Sequence, residues 1–162
     1  MEQTRKITEY LLGWGLWAVT SALGVFIMFW AVRGAFSALV EAATMGAMLT
    51  GTPSERFQVP FIRNAMDRFG TLIMGILAVL MIVLVEYYYR NGVETGTLWR
   101  RFTLVTAIEF GVLFVALAIQ VIFMGALGLF TVWSLVLPCA ALAVTVFLSW
   151  LLTRRDGHAA SP

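Results

Sequence analysis

Glu109 is the only charged side chain in residues 102–152, a run of 51 residues that is otherwise apolar or neutral. A carboxyl group in such a run can carry a proton, hold a cation or anchor a hydrogen-bond network. In hydrocarbon each role needs partners, because an unsatisfied polar group is costly there. Compatible groups lie at helical spacing. At about 100° per residue, Gln120 falls within about 20° of Glu109, and Thr106 some 60° away. Further on, Ser134, Thr145 and Ser149, with Pro138, share a second stripe about 60° wide. These residue types permit either a proton or ion pathway or a buried hydrogen-bonding anchor. The hydroxyls alone have a simpler use, bonding the carbonyl one turn back on their own helix.

The elements that position these groups follow from length. As one straight helix the run would measure roughly 75 Å, more than twice a hydrocarbon core of about 30 Å, so it must reverse. Gly125-Ala126-Leu127-Gly128 is its only reversal signal. Two membrane helices are expected, 102–124 and 129–152, joined by a tight turn. If they are antiparallel, residues whose numbers sum to about 254 share a depth. Glu109 is then level with Thr145, Thr106 with Ser149, and Gln120 with Ser134, and the two polar stripes are expected to face each other or a common protein partner.

Composition fits that class. With 60% hydrophobic and 12% charged residues and a mean hydropathy of +0.88, the 162-residue chain lies outside the range of a globular domain in water. It reads as an all-α, multi-pass transmembrane helical bundle in one integral membrane domain. A net charge of +2 is too weak a balance to argue for nucleic acid. Cys139 is the single cysteine and cannot form a disulfide within the chain.

Four spans are expected, at about 10–32, 70–89, 102–124 and 129–152. The first carries Gly13, Thr20, Gly24 and Ala31 within about 40° of one another, a small-residue face that lets another helix approach closely. Residues 33–50 hold small residues at every fourth position, Gly34, Ala38, Ala42 and Gly46. They either prolong the first helix, bend at Gly34 onto the membrane surface, or make a fifth span. Counting basic residues favours four spans with both termini in the cytoplasm, seven on that side against four. Thr52, Pro53 and Glu55 look like a capping box, with Pro60 interrupting the turn that follows. Residues 60–69 read as an interfacial amphipathic helix with Arg63 and Asp67 at pairing distance. Glu86 and Arg90 repeat that spacing, Asn91-Gly92 closes the span, and residues 156–162 form a polar tail. Arg33, Tyr87, Tyr88, Tyr89, Trp99, Arg100, Arg101, Arg154 and Arg155 are expected to anchor the helices at the two interfaces.

The inventory of reactive groups is mostly negative. His158 is the only histidine and lies near the end of the chain, so a haem with two histidine ligands or a histidine-bound metal in the bilayer is excluded within this chain. No Gly-rich phosphate loop, Cys-x-x-Cys pair or serine with a plausible base is present. Neither a catalytic residue nor a metal site is expected, and no cofactor is implied, although 22 aromatic residues could pack against a lipid, quinone or pigment. The expectation is a non-catalytic accessory or scaffold subunit of a larger membrane complex, of respiratory or photosynthetic type, in the inner cell membrane. Its partners would be the lipid bilayer and other subunits or copies of itself. The alternative is a small homo-oligomeric ion or proton transporter using Glu109 and Gln120.

Overall fold

The computed structural model describes residues 2–126 and 133–159. The chain is an all-α bundle with no strand among the described residues, and four of its helices are long and apolar enough to cross a membrane. It is a multi-pass membrane protein. The elements are α1 (Glu2–Ile27), a π-turn (Met28–Val32), α2 (Arg33–Thr50), α3 (Pro53–Glu94), α4 (Leu98–Ala126) and α5 (Trp133–Ala159).

Residues 33–50 take the first of their three possible arrangements. No proline interrupts the path, Ile27, Val32 and Arg33 all keep right-handed helical dihedrals, and the helix runs on from Glu2 to Thr50. At 1.5 Å per residue that rod is about 73 Å long. Gly34 does not bend it. The irregularity is the π-turn just before, closed by the Arg33 amide donating to the carbonyls of Met28 and Trp30.

The rod ends at Gly51, and the expected capping box forms. The Thr52 amide donates to Glu55 Oε2 at 2.6 Å, and the Glu55 amide to Thr52 Oγ1 at 3.4 Å. Arg56 donates back to the carbonyls of Gly51 and Leu49, which α2 leaves open at its end. Pro60 does not interrupt α3, contrary to its reading as a breaker. It sits exposed in the second turn, where its missing amide costs one bond to a carbonyl near the helix start. The interfacial helix expected over 60–69 is thus the first part of a single helix of 42 residues.

α2 and α3 form an antiparallel hairpin braced by charge. Arg33 pairs with Asp67 at 3.0 Å. Arg63 donates from Nε to Thr44 Oγ1 at 2.8 Å and lies 3.7 Å from Glu41. Arg63 and Asp67, spaced to pair with each other along α3, instead bond across to α2. Arg33 therefore ends on a carboxylate rather than on headgroups alone.

α3 closes two residues later than Asn91-Gly92 suggested. The Thr97 amide bonds Gly92 O at 2.9 Å and the Gly96 amide bonds Val93 O at 3.3 Å, a Schellman ending with Gly96 at φ +68°. Gly92 lies inside the helix, where a Cβ would come within 2.7 Å of Arg101 Cδ. α4 then packs along α5 more extensively than any other two helices pack, so the last third folds back on itself as expected. The turn at Gly125-Ala126-Leu127-Gly128 lies largely outside the described residues. α5 stays helical to Ala159, through most of the segment read as a tail.

The core is narrow. Ile27, Ala31 and Ala35 pack on Ala116, and Val85 and Tyr89 pack on Leu98. Past this core the α2–α3 hairpin continues alone among the described residues. Gly34 lies beside Gln120; from there α2 has sixteen residues to run and α4 six, so α2 extends about 15 Å past Ala126.

Gly96→Ala should lower stability by about 1–2 kcal/mol, the cost of a Cβ in the left-handed region. Gly75→Ala should be neutral or gain up to about 1 kcal/mol, since a Cβ there meets nothing and the helix interior prefers alanine. Unfolding in mixed micelles under denaturing detergent measures both.

Candidate functional site: the polar seam of α4

Three glycines on the long first rod, spaced by three turns, face the neighbouring helices. A Cβ at Gly13 would lie 2.7 Å from Val93 Cγ2, and one at Gly24 would lie 2.5 Å from Met81 Cε and 2.9 Å from Glu109 Oε1. A Cβ at Gly34 would lie 2.8 Å from Gln120 Nε2. Thr20 and Ala31, between these notches, are buried. Two of the notches receive Glu109 and Gln120 of α4.

Gln120 sits against the π-turn. Its Nε2 donates to the Ala31 carbonyl at 2.8 Å. A π-turn widens the backbone and loosens its i→i−4 bonding, which lets a carbonyl tilt out and accept from a side chain. The absence of a side chain at Gly34 leaves the space that Gln120 fills.

Glu109 is only 6% exposed. Neither carboxyl oxygen has a hydrogen-bond partner, and no ion pair involving it occurs among the described residues. Ser21, Tyr89 and Thr106 are likewise buried with unpartnered hydroxyls. Thr106 lies one turn before Glu109 on α4, and Ser21 one turn before Gly24 on α1. Tyr89 approaches Thr20 from α3, while the Thr20 hydroxyl is committed to the carbonyls of Leu16 and Trp17. Three helices thus contribute polar groups around one carboxyl, with Met81 closing the side toward α3. The arrangement can store a proton or accept one small donor. Among the described residues no three metal-ligating side chains gather.

The two stripes of the last hairpin do not face each other. Their depths agree to within a turn, since the Cβ position of Gly111 lies 3.8 Å from Thr145 Cγ2. But α4 turns Glu109 and Gln120 toward α1, α2 and α3. Thr145 and Ser149 donate to the carbonyls of Ala141 and Thr145 on their own helix, the simpler use of such hydroxyls. The Ser134 side chain lies outside the described residues, as do those of Arg154 and Arg155. On α2, Ala38 and Ala42 are half-buried, Gly46 is exposed with nothing near it, and the contact face runs instead through Ala35, Val40 and Thr44.

The anchor residues divide. Tyr87 is 71% exposed, Tyr88 lies under the Arg101 guanidinium at 4.5 Å, and Tyr89 is buried at 2%. Three consecutive residues on a helix spread over about 200° and cannot all face one interface. Arg101 also donates to the Tyr88 carbonyl at 2.6 Å. Trp99 stays exposed, edge-on to Phe102, and Arg100 follows it in the first turn of α4. Tyr89 was expected to anchor at an interface and is buried instead; Ser21 was not singled out by sequence, and its place one helical turn before Gly24 is the signal that would have found it.

Gly34→Val should cost about 1–3 kcal/mol by crowding Gln120, and Gln120→Ala should relieve most of that, giving a coupling above about 1 kcal/mol in a double-mutant cycle. Glu109→Leu should leave stability unchanged or raise it by about 1–3 kcal/mol, because it removes a buried group that has no partner. Thermal and detergent unfolding of the purified variants decide both.

Compared with family models, with characterised proteins and with solved structures, the chain matches none.

Proposed function

We propose that this protein is a non-catalytic accessory or scaffold subunit of a larger membrane assembly, of the energy-transducing kind, held in the inner cell membrane with both termini in the cytoplasm. The observation that carries this reading is the free end of the α2–α3 hairpin. It reaches past the end of α4, is cross-braced by Arg33, Asp67, Glu41 and Arg63, and still exposes Met45, Met48, Leu49, Phe57 and Phe61. Apolar side chains on a rigid arm of this kind suit a neighbouring subunit. The narrow core supports the same reading, since α5 touches little besides α4 and leaves its other faces open.

A pore between identical copies would need its polar lining on the outer surface. Glu109 and Gln120 point inward, and the Gln120 amide is engaged by Ala31. One observation favours a second reading, a proton-translocating protein: the Glu109 carboxyl is buried and lacks a partner.

Extraction in mild detergent followed by native separation should show the chain migrating with unrelated polypeptides. Phe57→Ser with Phe61→Ser should release them while the variant stays folded. A ladder of self-multiples without other polypeptides would overturn the subunit reading. Proton uptake by vesicles holding the purified protein, abolished in Glu109→Gln, would establish the second reading; vesicles of the parent protein without uptake would end it.

A further inference from the structure

Between the start of α1 and the end of α3 lies a cavity of about 290 Å³ that shares only the Tyr89 side chain with the seam around Glu109. We infer that it binds the headgroup of a zwitterionic phospholipid, with its phosphate toward Arg90 and its ammonium toward Glu86 and the tryptophan rings. This inference does not depend on the subunit reading.

Charge is the first ground. Glu86 and Arg90 both line the cavity and stand one turn apart on α3, the spacing at which a helix ordinarily pairs them. Glu86 and Arg90 take no part in the pairs of Arg33 with Asp67 and Arg63 with Glu41, and they form no ion pair with each other. Two opposite charges left apart on one wall match a ligand that carries both signs. An anionic headgroup would meet Glu86, and a simple cation would leave Arg90 unmatched.

The aromatic wall is the second ground. Trp14 and Trp17 meet edge to face with centroids 5.1 Å apart, and Trp17 is held by its Nε1 donating to the Ile82 carbonyl at 3.3 Å. Tryptophan faces are the best partners for an alkylammonium group among side chains, and a ring already fixed loses little freedom on binding. The site also lies where headgroups lie. It begins one residue past Val85, where the apolar run of α3 ends, and is flanked by the exposed Tyr87. Gly13, facing Val93 on the rim, holds α1 close enough to α3 for both walls to reach one ligand.

The test uses the full chain, purified in detergent and offered phosphatidylethanolamine, phosphatidylglycerol or soluble glycerophosphoethanolamine. Native mass spectrometry reads retained lipid and the thermal midpoint reads stabilisation. The expected result is preferential retention of phosphatidylethanolamine, with Glu86→Gln and Arg90→Gln each lowering it about fivefold, the worth of a partly exposed charge contact. Both positions lie at the helix surface, and circular dichroism checks that the variants fold. Equal retention of phosphatidylglycerol by the parent protein would overturn the inference without recourse to any variant. So would unchanged retention in both folded variants. Stabilisation by the soluble compound equal to that by the intact lipid would also overturn it, reassigning the cavity to a free phospho-ammonium compound.

Discussion

The close approach of the first rod to α3 and α4 is the contact on which the rest of the bundle depends. In a bilayer, apolar side chains gain little by leaving lipid for one another, so helices associate through tight packing and through polar groups that find each other. Here both requirements meet at the same places. Gly24 and Gly34 remove the side chains that would keep α4 away, and Glu109 and Gln120 occupy the space so made. Without the glycines the two polar residues would have to turn toward lipid.

The two polar residues are not equivalent. Gln120 completes a hydrogen bond to a carbonyl displaced by the π-turn, so backbone irregularity and side chain compensate one another. Glu109 completes nothing. It is buried without a partner, as are the hydroxyls of Ser21, Tyr89 and Thr106. A packed core has little tolerance for such a group, so Glu109 adds little to holding the helices together.

Charge does its structural work at the other end of the molecule. The crossed contacts of Arg33, Arg63, Glu41 and Asp67 join two helices that run on past the bundle. Each pair is partly exposed and worth little singly, but together they fix the register of the arm. Its exposed phenylalanines and methionines then form a surface of constant shape, as a docking subunit needs.

Much of this was legible in the sequence. The run from 102 to 152 exceeds any bilayer and has to fold back, and the small residues of α1 lie on one face because their spacing matches the helical period. The capping box at Thr52 and the four apolar stretches are equally local, written in residues a few positions apart. What the spacing could not convey was which neighbour each face would meet. The stripe on α4 was matched in depth to that of α5, yet it turns to α1 because the notches at Gly24 and Gly34 admit its side chains, while the hydroxyls of α5 satisfy themselves on their own backbone. Arg63 and Asp67 likewise had a partner within their own helix and took others across the hairpin. Nor could a period reveal that Tyr89, beside two outward tyrosines, would be the one turned in. Length, apolar content and helical phase are properties of a segment and survive in isolation, whereas the partner of a polar side chain is decided by the space that other helices leave for it.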